Sequence, residues 1–216
     1  MPLFTADALV LRTYKLGEAD RIVVFLTRDR GKKRGVAKGA RRQRSAFMGA
    51  LEPLTEVRVA YFEKERRELV GLNYAETYRS PLTLHNQEAL GHISYFAELL
   101  DEWAQDADAD DRLYRLGASM LDALAAGAPV EPLARYFEYW LLRLQGVYPE
   151  ARGSLSDGAM AFLAGSRAVS PQQVGLVPAE PRVLRELENV HRTLITMHLE
   201  KTLKSDRVLR DLRRHA

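Results

Sequence analysis

The residues best suited to chemistry crowd into one short stretch. Between Arg28 and Arg44 the chain carries nine basic residues and one acid, Asp29. Arg30, Lys32, Lys33 and Arg34 flank the turn signal Asp29-Arg30-Gly31, and Lys38, Arg41, Arg42 and Arg44 surround Gly39. On a strand, Lys32 and Arg34 share one face while Lys33 takes the other. An exposed strand rim and the loop after Gly39 could therefore meet one phosphate backbone. Such a site reads charge and shape, because phosphate contacts supply affinity and position but no base code. Phe47, Tyr61, Phe62, Tyr74 and Tyr78 are available to stack on bases, although a small β-barrel needs aromatic filling and core is the first reading of each. The alternative for the basic run is a solvated loop. A second group, Lys201, Lys204, Arg207, Arg210 and Arg214, forms a ridge if helical. It suits an acidic peptide, a phosphate backbone or simply a wet face.

Other chemistry finds little support. With no Cys there is no disulfide framework, cysteine zinc site or thiol nucleophile. His191 and His198 share a helix face but sit about 10 Å apart, too far to hold one metal directly. They, with His85, His92 and His215, read as partly buried or interfacial, and no metal or cofactor is expected. Lys38-Gly39 lacks the spacing and following Ser or Thr of a P-loop, and no dinucleotide loop or nucleophile elbow occurs. Asp106, Asp108, Asp110 and Asp111 share only composition with a calcium loop, lacking its Gly and bidentate Glu; a solvated loop before a helix is the reading. A hydrolase is disfavoured, although scattered carboxylates leave no local signature.

These residues must be positioned by a chain of 216 residues, 46% hydrophobic, with 32 basic and 29 acidic side chains. That suffices for one domain or two modest ones with a real core. Charge is uneven: residues 1–80 hold 17 basic and 10 acidic residues, and residues 81–216 hold 15 and 19. No apolar run approaches the roughly 20 residues of a membrane span, and the start lacks the order of a secretion signal, so a soluble cytoplasmic protein is the expectation.

The first 80 residues alternate with a period near two. Ala6, Ala8 and Val10; Ile22 to Thr27; Gly35 to Lys38; Val57, Val59 and Tyr61; and Glu68 to Tyr74 predict five strands. Too little helix separates them for βαβ units, so a small antiparallel barrel or sandwich fits. From about residue 82 the period becomes 3.6. Leu90, Ile93, Ala97, Leu100 and Ala104 mark a first helix. Asp111 could cap a second through Leu124, and Leu133, Phe137, Leu141 and Leu144 mark a third. Ser156 could cap a short fourth through Leu163. Pro181 opens the last, with the stripe Leu184, Leu187, Val190, Leu194 and Met197; it runs towards Lys201 and could resume from Ser205 to Arg213. The stretch from Ala164 to Glu180 reads as a long surface loop.

In combination, the residues resemble a known family. Ala8-Leu-Val-Leu-Arg12, Gly17-Glu-Ala-Asp-Arg21 leading into Val23 to Thr27, Gly31-Lys32, Val36-Ala-Lys-Gly-Ala-Arg-Arg42, Ser45, Leu51-Glu-Pro-Leu54 and Arg67-Glu-Leu69 are similar to the RecO family of bacterial recombination mediators. So is the closing segment His198-Leu-Glu-Lys-Thr-Leu-Lys-Ser205 with Leu209 and Leu212. The resemblance implies an α+β chain: an N-terminal five-stranded OB-fold-like barrel over 1–80 that binds nucleic acid, and a helical domain over 81–216. It implies binding of single- and double-stranded DNA, annealing of complementary strands, and recombinase loading with the partner RecR. It also implies docking of the acidic C-terminal tail of the single-stranded-DNA-binding protein on the helical domain. By matched motif, Lys32, Lys38, Arg41 and Arg42 lead the DNA contacts, and Lys201 and Lys204, with His198 beside them, form the tail site. Many members carry a four-cysteine finger where this chain has only Leu144 to Ser156 without Cys, so no structural metal is implied here.

The expectation is thus a non-enzymatic DNA repair mediator, cytoplasmic and nucleoid-associated. The alternative is a helical adaptor or scaffold whose basic loop has no direct DNA role.

Overall fold

The computed structural model describes residues 2–63, 68–84, 87–149, 155–206 and 208–209. Five strands come first: β1 (Leu3–Leu16), β2 (Asp20–Thr27), β3 (Gly31–Ala37), β4 (Glu56–Phe62) and β5 (Leu69–Arg79). They close into a barrel in the order β1-β2-β3-β5-β4, antiparallel throughout except for the parallel β3–β5 pair. Five helices follow: α1 (Gln87–Trp103), α2 (Asp111–Ala125), α3 (Val130–Leu144), α4 (Asp157–Ser166) and α5 (Pro181–Leu199), with short 3-10 turns at Pro81–Thr83 and Pro171–Leu176. A closed five-stranded barrel followed by a mostly helical region is the OB-fold-plus-helix architecture.

The barrel interior is what the alternation demanded. Ala6, Ala8, Val10, Val23, Phe25, Val57, Val59, Tyr61, Val70 and Leu72 all point into one cluster. The parallel closure is possible because Gly35 has no side chain: a Cβ there would lie 2.1 Å from Leu72 Cδ1 and 2.8 Å from Val70 Cγ2. On β1 the register slips between Val10 and Arg12. This bulge returns Arg12 to the outer face, opposite Val24, which in turn faces Arg34.

Two compact units result, one of Met1–His85 with Ile93–Leu121, the other of Asn86–His92 with Asp122–Ala216. In the first, most of α1 and α2 packs with the barrel. Gly117 of α2 lies so close that a Cβ would come within 2.8 Å of Leu9 Cδ1 and 2.6 Å of Leu100 Cδ1. In the second, α3 packs on α4, α5 and the Pro171–Leu176 turn. Phe137, Leu141, Phe162, Leu187 and Ile195 form its core. That core also encloses a charged network: His191 Nδ1 lies 2.9 Å from Glu138 Oε2, and Arg135 donates to Glu138 Oε1 at 2.8 Å. His191 and His92 are both buried, more deeply than the partly buried or interfacial setting expected from the sequence.

Several local readings need correction. Asp110, not Asp111, caps α2: its Oδ1 accepts from the backbone N–H groups of Arg112 and Leu113 at 3.0 Å each. The buried stripe of α5 is Val183, Leu184, Leu187, His191 and Ile195, whereas Met197 is 72% exposed. Leu90 is exposed on the first turn of α1. The stretch from Ala164 to Glu180 is not simply surface, because its 3-10 turn buries Val174 completely. Ser156 does cap α4, accepting from Ala159 N–H at 3.2 Å, and Pro181 does open α5. α5 ends at Leu199 on a left-handed Glu200, and helix resumes at 204–206. Arg207, Arg210, Arg213, Arg214, His85, His215 and Arg67 lie outside the described residues.

Candidate nucleic-acid interface

β3 runs the length of the barrel, and it separates the basic stretch into two groups about 20 Å apart, at roughly 3.3 Å per residue. The group at the β2–β3 turn is committed internally. Arg30 lies 4.4 Å above the ring of Phe4 and 3.6 Å from Asp29 Oδ2. Lys33 faces the interior opposite Phe25 and donates to Glu63 Oε1 at 2.8 Å. Lys32 faces outward, and its Nζ donates to the Asp101 carbonyl at 2.7 Å and lies 3.4 Å from that residue's Oδ1.

The outer face around Lys32 is covered by chain. Its N–H donates to Gln105 O at 3.0 Å, and its carbonyl accepts from Ala107 N–H at 3.3 Å. Gly31 (φ +67°) admits this approach, since a Cβ would lie 2.4 Å from the Asp108 backbone nitrogen. The aspartate-rich segment is therefore more than a solvated loop: it extends the β3 edge and then caps α2. Beside Lys32, Arg12 meets Asp101 at 3.2 Å, Glu102 at 3.7 Å and Glu98 at 3.8 Å. The acids of α1 occupy Arg12 and Lys32 on the outer β1–β2–β3 face.

Three further cations of this unit are also matched. Arg28 donates to Asp111 Oδ1 at 2.7 Å, Arg58 to Asp7 Oδ1 at 3.2 Å, and Arg79 to Glu56 Oε2 at 2.6 Å. Glu56 is buried and also accepts from Tyr114 Oη at 2.7 Å. Burial, then that hydrogen bond, raises the Tyr114 phenol far above its ordinary range.

The opposite end of the barrel differs. Lys38, Arg42 and Arg44 are exposed and have no ion pair or side-chain hydrogen bond among the described residues. Arg41 braces this end: its Nη1 donates to Gly17 O at 3.0 Å and Glu18 O at 2.8 Å, and its N–H donates to Ala19 O at 2.9 Å. Asp20 Oδ1 accepts from Gly39 N–H at 2.8 Å. The β1–β2 turn and the loop after β3 are thus locked together, and Arg41 remains an exposed residue. Lys15 stands opposite Arg21, and Arg21 opposite Ala37, which adds two cations at this end. Local sequence gave no sign of them, because strand pairing brings them there. Arg34 is exposed in mid-strand and has no ion pair among the described residues.

Phe47 and Tyr61 are core, 5% and 0% exposed, and burial pushes the Tyr61 phenol up to about 12. Phe62 is half-buried. Tyr74 and Tyr78 keep exposed rings on β5, with the Arg58 guanidinium 5.7 Å above Tyr78. In the other unit His198, Lys201 and Lys204 are exposed around the end of α5, where Leu199 is half-buried and Leu203 is buried. No group of three or more His, Asp or Glu is placed to hold a metal among the described residues, and no described helix is long and apolar enough to cross a membrane.

Residues 1–81 match the family model "Recombination protein O N terminal", and residues 84–164 match "Recombination protein O C terminal". The DNA repair protein RecO of Koribacter versatilis is 42% identical over 149 residues, covering 67% of this chain and 59% of that protein's own length. That of Anaeromyxobacter sp. strain K is 37% identical over 185 residues, 82% of this chain and 71% of the relative. That of Pelotomaculum thermopropionicum is 28% identical across 95% of this chain and 93% of the relative. With both family models matched in order along a barrel-then-helix chain, this protein belongs to the RecO family.

Proposed function

We propose that this chain is a non-enzymatic DNA-binding mediator of recombination and repair. It grips phosphate backbones at the barrel end formed by Lys38, Arg41, Arg42 and Arg44, with Lys15 and Arg21 beside them, and brings complementary single strands together. The observation that carries this reading is the contrast in pairing. Apart from Arg34, the described cations elsewhere on the barrel are matched to a carboxylate, whereas Lys38, Arg42 and Arg44 are not. Unmatched, exposed cations on a braced loop release condensed counterions when they meet phosphates. Arg30, Lys32 and Lys33 take a supporting part, holding the barrel rather than the strand. No bond is made or broken, so the reading requires no catalytic constellation.

Residues 1–80 act as the nucleic-acid-binding domain and 81–216 as the helical, partner-binding domain. RecR and the acidic tail of the single-stranded-DNA-binding protein are the protein partners of this reading, with His198, Lys201 and Lys204 receiving the tail. A cytoplasmic, nucleoid-associated location goes with it. The deciding experiment is annealing of complementary oligonucleotides, bare and coated with single-stranded-DNA-binding protein, with wild type and Lys38→Ala/Arg42→Ala/Arg44→Ala. Faster annealing by wild type and its loss in the variant support the reading; annealing no faster than without protein refutes it.

A further inference from the structure

One row of residues on the outer surface of the barrel is apolar or aromatic across all five strands. Tyr14 of β1 stands opposite Ile22 of β2, Ile22 opposite Val36 of β3, and Val36 opposite Gly71 of β5. The row continues from Gly71 to Phe62 of β4 and from Phe62 to Leu3 of β1. The alternation that turns Val23, Ala37, Leu72 and Tyr61 into the core turns their neighbours in this row outward. None of the six is buried: Tyr14 is 46% and Leu3 54% exposed, and the others are half-buried. The adjacent row differs, with Val24 buried and Arg12 tied to the acids of α1. An open apolar stripe without a single charge, rimmed by polar residues, marks a surface that another molecule covers.

Two features indicate which molecule. The first is Gly71. Gly35 is a glycine because Leu72 and Val70 fill its space, but nothing lies within 4 Å of where a Cβ of Gly71 would stand, and its φ is not positive. A glycine inside a strand weakens it. With no packing or torsional need for one, its effect is a notch between Val36 and Phe62 where a flat group can approach the backbone. The second is charge. Arg34 lies two residues before Val36 and Lys38 two residues after it, about 7 Å to either side. Both are exposed and without an ion pair among the described residues. Flat groups strung on phosphates fit a stripe bordered by cations, whereas an apolar protein segment would leave those cations unmatched. The ring of Tyr14 is also set in advance. Arg12 Nη1 donates to Tyr14 Oη at 3.2 Å, and Arg12 Nε lies 3.2 Å from Asp101 Oδ2, so little side-chain freedom is left to lose on stacking.

We infer that the bases of a single strand lie along this stripe, with Tyr14 as a stacking platform, the notch at Gly71 admitting a second base, and Arg34 and Lys38 meeting the phosphates. The inference rests on the DNA-binding reading above and deepens it by making the single strand the substrate, since a duplex keeps its base faces inside its own stack. A base held by its face leaves its pairing edge outward for a complementary strand, which is what annealing requires.

The test uses the full chain with an oligothymidylate of about 16 nucleotides, an abasic strand of equal length and a duplex, followed by fluorescence anisotropy at several salt concentrations. Wild type should bind the thymidylate about fivefold or more tighter than the abasic strand. Tyr14→Ala should remove most of that preference while leaving the salt slope and duplex affinity unchanged. Tyr14→Trp should retain it, its added indole emission quenched by thymidylate and not by the abasic strand. Gly71→Val places a better strand former in open space and should weaken thymidylate binding severalfold without lowering stability to urea; a merely structural glycine would lose stability and keep the preference. Urea melts verify folding, and the Tyr14→Trp emission decides the matter if Tyr14→Ala fails to fold. Lys38→Ala/Arg42→Ala/Arg44→Ala should flatten the salt slope yet keep the preference for bases, so the phosphate site and the stripe fail separately. Equal affinity for thymidylate and abasic strands, a preference that survives both folded Tyr14→Ala and Gly71→Val, or an equal loss on duplex would each overturn the inference. Unchanged strand binding in these variants with altered self-association in sedimentation would assign the stripe to a protein contact and overturn it as well. No binding of any strand by wild type would refute this inference and the DNA-binding reading together.

Discussion

Removing charge from the two ends of β3 should have opposite consequences. In Lys38→Ala/Arg42→Ala/Arg44→Ala the lost side chains are exposed and have no ion pair among the described residues, so stability should stay within about 0.5 kcal/mol per site. If each neutralises one phosphate, the slope of log association constant against log salt should flatten by about 0.7 per contact on single strands, or roughly 2 for the three. Between 50 and 200 mM salt a slope of about 2 amounts to roughly a 20-fold change in affinity, and the variant should lack that part of the salt dependence. Lys32→Ala is the counterpart. It removes a cation that is 11% exposed and meets both the carbonyl and carboxylate of Asp101. Leaving those acceptors without it should destabilise the fold by about 1–3 kcal/mol, with little change in salt slope. Fluorescence anisotropy with a mixed-sequence and a homopolymer strand at several salt concentrations, beside urea melts of each protein, measures both quantities. Equal flattening by Lys32→Ala and the triple variant would refute the argument from pairing. An unchanged slope in the triple variant would remove this barrel end as the DNA site.

Gly35→Ala should cost about 1–3 kcal/mol or more by overpacking, because its Cβ would meet Leu72 and Val70 at the parallel closure; chemical denaturation measures it. Tyr114→Phe takes a hydrogen bond from buried Glu56 and should lower stability by about 1–3 kcal/mol, and a melt equal to wild type would show that Arg79 alone suffices. Burial holds Tyr61 and Tyr148 up to about 12, above the usual 10. Between those values the native state retains protons that the unfolded chain has lost, so this stability is present below pH 10 and disappears as pH rises towards 12; ultraviolet titration of phenolate with parallel melts tests the sign. Lys201→Glu/Lys204→Glu should weaken binding of a labelled acidic tail peptide several-fold by charge reversal, and unchanged affinity would place the tail elsewhere.

The strands were legible because burial on one face imposes a period of two that survives in Ala6, Ala8, Val10 and in Val57, Val59, Tyr61. The closure was not. Pairing β3 with β5 in parallel depends on Gly35 being empty beside Leu72, a contact between residues far apart in sequence. Helix faces blurred for a related reason. On α5 a polar side chain, His191, takes a buried position because Glu138 and Tyr148 lie against its ring, and a hydrophobic pattern cannot signal a polar residue whose partners lie on another element.

The basic stretch shows the same limit in the site itself. Sequence fixes how many cations lie between Arg28 and Arg44, but their availability depends on carboxylates that the fold delivers: Asp101 to Lys32 across 69 residues, Glu63 to Lys33 across 30, and Asp111 to Arg28 across 83. Pairing replaces the hydration of a surface cation with a fixed partner, and a phosphate must then displace that partner rather than water. The unmatched end of the barrel presents no such competition. Its loop is already held to the β1–β2 turn by Arg41 and Asp20, so little ordering entropy is left to lose on binding. Pairing and preorganisation thus select the same end of β3, and charge density along the sequence could distinguish neither.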